Sequence, residues 1–154
     1  MERMELSKKF YAQAQKMTIG MAASVVAYGA IGFYLIGLGK GGPAILTAQM
    51  HPYVKYGALF VSAVGIFAVR HFVDRKFNLS QGGTPFTSRS VQKIFLRTVV
   101  MNAMAELPLL LGMLLVFFGK NPYDYIPFAV ISLAGFALAF PKKQQWRDWM
   151  GVDF

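Results

Sequence analysis

The residue best placed for chemistry is Glu106, an acid inside the apolar run Leu96–Phe118, within the stretch NAMAELPLLLG. A carboxyl group in such surroundings can share a hydrogen bond, bind a cation or pass a proton. Asn102 stands four residues earlier on the same helical face and is expected to hydrogen-bond it. Pro108 has no amide hydrogen, so the Met104 carbonyl loses its helical donor beside the acid and a kink is expected there. Arg97 is nine residues away on the opposite face, so no cation shares the acid's depth. Transfer to hydrocarbon disfavours the ionised form, and Glu106 is expected to hold its proton at neutral pH. At similar depth in the other apolar runs lie Tyr28, Ser62 and Ser132. If those faces converge, Tyr28, Ser62, Asn102, Glu106 and Ser132 form a proton- or ion-binding cluster. The plainer reading gives Glu106 one hydrogen bond to a serine or tyrosine that fixes helix register.

The elements that must position these groups are apolar and long. Of 154 residues, 55% are hydrophobic and 15% charged, against roughly 45–50% and about 25% in soluble domains. Four runs approach membrane length, about Met17–Leu38, Tyr53–Phe72, Leu96–Phe118 and Tyr125–Phe140, where roughly 17–25 residues are needed to span. The sequence therefore predicts an all-α, polytopic membrane protein, a single domain of four transmembrane helices arranged as two hairpins. The helices are expected at about 17–38, 53–77, 91–119 and 124–140, with a middle loop at 78–90 and an interfacial tail at 141–154. The first run is too long for the roughly 7–15-residue core of a signal peptide and is expected to stay in the mature protein. The chain has no cysteine, which excludes disulfides, thiolate metal sites and thiol catalysis.

The net charge of +9 is distributed by connection. Arg3, Lys8, Lys9 and Lys16 precede the first run; Arg70, Arg75, Lys76, Arg89, Lys93 and Arg97 surround the middle loop; Lys142, Lys143 and Arg147 follow the last. Only Lys40, Lys55 and Lys120 lie in the other two connections. This bias predicts both termini and the middle loop in the cytoplasm of a bacterial inner membrane. The six middle residues are read as facing lipid or a partner, with anionic headgroups as the expected ligand and nucleic acid not expected. Tyr53, Tyr56, Tyr123, Tyr125, Trp146 and Trp149 occupy belt positions, and Gln144 to Met150 is expected to form a short helix on the inner surface.

A faint echo appears at a shift of 70 residues, which aligns Pro52-Tyr53 with Pro122-Tyr123, Ser62 with Ser132 and Gly65 with Gly135. Small residues concentrate in the first and fourth runs, which are expected to pack most tightly. The segment Leu109 to Phe118 is expected to face lipid or another subunit.

Glu106 after an Ala-rich approach, then Gly112, a Leu/Val/Phe run and Asn121-Pro122, resembles the carboxylate helix of the rotary ATP synthase c subunit, the proteolipid. That likeness covers about twenty residues and implies a proton- or sodium-binding Glu106. Here, however, the acid lies in the third helix, and the second run has only Gly57 and Gly65 where the family has closely spaced glycines. The third run together with the ending FPKKQQWRDW resembles a group of uncharacterised small bacterial four-helix membrane proteins, which brings no chemistry. The four-helix format is also similar to that of the microsomal glutathione transferases, but only Asn102 and Glu106 match the Arg, Asn and Glu that family needs.

His51 and His71 lie about 30 Å apart along one helix, too far to share a haem. No nucleotide loop, metal spacing or triad is visible, and no cofactor is expected. Two non-enzymatic readings stay open: an accessory or structural subunit of a membrane complex or homo-oligomer, and an ion- or proton-conducting element using Glu106. The topology is tested by a reporter fused after Phe154, which is expected to score cytoplasmic; a periplasmic score contradicts it.

Overall fold

The computed structural model describes residues 2–39, 46, 47, 49–76 and 88–150. The helices are α1 (Glu2–Gly37), α2 (Met50–Lys76), α3 (Ser88–Gly119), α4 (Tyr125–Ala139) and α5 (Lys143–Met150), with one 3-10 turn at Pro122–Asp124 before α4. The described residues contain no strand. Four segments are long and apolar enough to cross a membrane: Met4–Gly37, Met50–Arg75, Val91–Gly119 and Pro122–Ala139. Most of the middle loop, residues 77–87, lies outside the described residues, as do the side chains of Lys76, Arg89 and Trp149.

The first helix corrects the expected boundary at residue 17, because it starts at Glu2. Its 36 residues run about 54 Å, well beyond the roughly 30 Å of hydrocarbon. Ser7, Ala14, Thr18, Val25 and Gly32 are all buried and fall on one face, so the same seam runs from the basic end to the far end. The helix closes at Gly39, whose φ of 66° supplies the left-handed cap, with the Leu38 and Gly39 amides donating to the Tyr34 and Ile36 carbonyls.

The hub is α3. It packs most extensively against α4, then against α1 and α2, while α1 and α2 scarcely meet. This corrects the expectation that the first and fourth helices pack tightest. The reason is the placement of glycine. A Cβ at Gly112 would lie 2.8 Å from the Phe128 Cβ, and one at Gly135 would lie 2.9 Å from the Ala105 Cβ and 3.0 Å from the Ile66 Cδ1. The two sites are seven residues apart on each helix and run in opposite directions, which fixes an antiparallel register. Along the α1 seam the direction is parallel, with Thr18 on Asn102 and Gly32 against Val116. The repeat-matched Gly65, unlike Gly135, has open space around it. The two halves of the chain therefore use their matching glycines differently.

The helical positions of α3 divide into four faces. Ala105, Leu109 and Gly112 face α4; Asn102, Glu106 and Met113 lie toward α1; Arg97, Leu111 and Leu115 lie toward α2. Leu96, Ala103, Leu107, Leu110, Leu114 and Phe117 form the remaining stripe, which is exposed and opposite the α4 face. The segment Leu109–Phe118 is thus only partly outward: Leu109, Leu115 and Val116 are core. The helix is unbroken through Pro108.

A second core gathers Ala14, Val91, Ile94 and Trp146 at the basic end, with Phe10, Tyr11 and Phe95 packed on it. Trp146 is fully buried there, and its ring meets Tyr11 edge-on at 5.5 Å. This corrects its reading as a belt residue: α5 docks through Trp146 onto α1 and α3. Gly112→Ala is expected to destabilise the fold by about 1–3 kcal/mol through overpacking. Gly65→Ala is expected to be neutral or stabilising by up to about 1 kcal/mol. Thermal unfolding of the two variants in detergent micelles checks the contrast.

Candidate functional site

The polar groups inside the bundle form separate ties rather than one cluster. The Tyr28 hydroxyl donates to Glu106 Oε1 at 3.0 Å, joining α1 to α3. Tyr28 stands above the acid along the parallel seam and reaches back toward the start of its own helix, the direction in which helical side chains lean. Both residues are half-buried, and Glu106 sits at the border between the α1 face and the open stripe of α3.

Asn102 is fully buried and turned elsewhere. Its Nδ2 donates to Thr18 Oγ1 at 2.9 Å, and Thr18 in turn donates to the Ala14 carbonyl at 3.0 Å. The expected Asn102–Glu106 bond is replaced because Thr18 stands directly opposite Asn102 in the α1 register. Asn102 Oδ1 remains without a partner. Ser62 and Ser132 are buried on α2 and α4, and neither hydroxyl has a hydrogen-bond partner. The α3–α4 register brings Ser132 level with Pro108. Of the five residues expected to converge, the fold joins only Tyr28 and Glu106.

Among the described residues two ion-pair clusters cap the bundle; Arg70 and Arg97 of the first were expected to face lipid or a partner, while Asp74 and the second cluster lay outside the sequence-based site. At the basic end Arg97 Nε donates to Asp74 Oδ1 at 2.8 Å, while Arg70 stands 3.9 Å from the other carboxylate oxygen. Arg97 is buried, which corrects its reading as a lipid-facing cation: it ties α3 to α2. Arg70 is half-buried, whereas Arg75 and Lys93 are exposed.

At the far end Asp124, 1% exposed, receives Lys55 Nζ at 2.7 Å on Oδ1 and has His51 Nε2 at 2.7 Å from Oδ2. His51 and Lys55 are one turn apart at the start of α2, and Asp124 ends the turn before α4. The His51 ring also lies where a Gly119 Cβ would be, 2.7 Å away. A side chain at 119 would displace the His51 ring, and Lys120 takes the left-handed conformation with φ 57°. The i,i+4 spacing of His51 and Lys55, with Asp124 the acid at the opposite turn, was the available signal.

Tyr125 is a further correction. It is buried rather than a belt residue, and its hydroxyl donates to the Val25 carbonyl at 2.6 Å. Its ring lies against Gly29, where a Cβ would come within 3.0 Å. Tyr53, Tyr56 and Tyr123 are exposed.

Among the described residues no three His, Asp or Glu gather as a metal-ligand set. No protein-family model, curated protein or solved structure matches the chain.

Tyr28→Phe is expected to cost about 0.6 kcal/mol, the usual size of an interhelical hydrogen bond in a membrane. Glu106→Gln keeps an acceptor and is expected to retain most of the fold, whereas Glu106→Ala loses the tie. A double-mutant cycle on unfolding in micelles measures the coupling, and additivity of the Tyr28 and Glu106 substitutions contradicts the tie.

Proposed function

We propose that the protein is a non-catalytic, multi-pass protein of the bacterial inner membrane that serves as an accessory or structural subunit of a larger complex or homo-oligomer. Both termini and the basic end lie on the cytoplasmic side, where exposed Arg75, Lys93 and Lys142 meet anionic headgroups. Glu106 acts as the internal acceptor that sets the register of α1 on α3.

The observation that carries this reading is how the polar groups are used. Tyr28 holds Glu106, Thr18 holds Asn102, Asp74 holds Arg97, and Asp124 holds Lys55 and His51. Each tie joins two helices. The open stripe of α3, between two helices that scarcely meet, supports association with another apolar helix.

One observation favours the proton- or ion-conducting alternative: Glu106 is half-buried beside the open stripe, within reach of an apolar reagent. A hydrophobic carbodiimide separates the two readings. The structural reading expects Glu106→Gln to remain functional in the native complex, with a stoichiometric partner copurifying in mild detergent. Labelling of Glu106 that falls as pH rises, together with proton flux abolished by Glu106→Gln, favours conduction and overturns the structural reading.

A further inference from the structure

Between α1 and α4, on the half nearest the basic end, lies a cavity of about 480 Å³. Its walls are Ile19 and Ala22 of α1 and Leu133, Phe136, Ala137 and Phe140 of α4. We propose that this groove is a binding site for one anionic phospholipid, with an acyl chain along the groove and the phosphate at Lys142. The proposal rests on the reading of the protein as membrane-embedded.

The volume falls within the roughly 300–1,000 Å³ of small-molecule sites. The groove exists because α1 and α4 approach each other less closely than α3 and α4 do, and because Ala22 and Ala137 are small. Its one polar wall residue below the rim is Thr18, and that hydroxyl already donates to the Ala14 carbonyl and accepts from Asn102. The floor thus offers no free donor to a polar ligand and suits a hydrocarbon chain. A chain filling the space recovers dispersion contacts that the walls otherwise lack.

The rim decides the headgroup. Lys142 is exposed at the mouth, directly after the Pro141 that ends α4. The acids of the described ion pairs, Asp74 and Asp124, are engaged with other cations, so neither neutralises Lys142. Lys16 is exposed one turn before Ile19, on the same flank of α1, and adds a second positive charge to this edge. An anionic phosphodiester at the interface complements both charges, while a zwitterionic lipid brings its own cation to the same place.

Native mass spectrometry of the full chain, delipidated and mixed with phosphatidylglycerol or phosphatidylcholine of identical acyl chains, tests the site. Wild type is expected to retain one phosphatidylglycerol in about fivefold preference over phosphatidylcholine. Ala137→Phe fills the groove from an exposed position that leaves the Gly135 crossing intact, and is expected to lose the retained lipid of either kind. Ala22→Phe does the same from the opposite wall. Lys142→Gln keeps one lipid with a reduced preference, Lys16 remaining at the same edge.

Retention of phosphatidylglycerol at wild-type level by both filled variants, or an unchanged preference in Lys142→Gln, overturns the proposal. Carbonate extraction of the cell membranes from which the protein is purified separates the two levels of failure. Protein that stays in the membrane without selective lipid overturns the groove alone, and protein released by carbonate overturns the membrane reading with it.

Discussion

Between helices surrounded by hydrocarbon, exclusion of water supplies almost no attraction, so association depends on how closely backbones approach and on polar groups that find each other. In this protein that constraint is met at the crossing of α3 and α4. Gly112 admits Phe128, and Gly135 admits Ala105 and Ile66. With those two points fixed, the faces of α3 are assigned: one is buried on α4, two receive α1 and α2, and one is left outward. The chain thus assembles around its third helix, with Gly135 of α4 and Gly32 of α1 each set against it.

Polar ties then fix what the glycine contacts leave free, which is sliding of α1 and α2 along α3. Asn102 to Thr18 and Glu106 to Tyr28 hold α1 in parallel register. Arg97 to Asp74 holds one end of α2, and Asp124 with Lys55 and His51 holds the other. Arg97 and Asp124 are the buried members of the charged pairs, so removing their partly exposed partners leaves a buried charge uncompensated. The two charged clusters sit near the helix ends, where water and headgroups lower the cost of keeping ions, and the neutral donors sit between them.

Much of this was legible in the sequence. Length and hydropathy give four spanning helices, and the isolated acid in the third run draws attention to Glu106. Depth offers Tyr28, Ser62 and Ser132 alike to Glu106, and Tyr28 is the one that bonds it. What depth does not carry is azimuth. Asn102, four residues from Glu106, shares a face with it in principle, yet Thr18 lies closer and takes its amide. Ser62 and Ser132 match in level and still make no hydrogen bond to the acid. Arg97 reads as a surface cation by charge pattern, but Asp74, an acid inside a basic stretch, draws it into the bundle. Trp146 and Tyr125 read as interfacial because aromatic rings with polar tips are favoured there, and packing on α1 buries both. The amphipathic seam that extends α1 back to Glu2 was available in the spacing of Ser7, Ala14 and Thr18, but lysines between those positions give the segment the look of a polar tail.

The polar groups inside this protein join helix to helix. Its internal acid has one partner, its charged pairs join helices, and its hub presents an outward apolar stripe. The arrangement rests on α1 packing on α3 rather than on its neighbour in sequence. The chain has no cysteine, so paired substitutions can be cross-linked in native membranes without background. Thr18→Cys with Asn102→Cys is predicted to cross-link within one chain, and Val26→Cys with Val61→Cys, which probes α1 against α2, is predicted not to. Cross-linking of the second pair and not the first would place α1 on α2 and contradict the account.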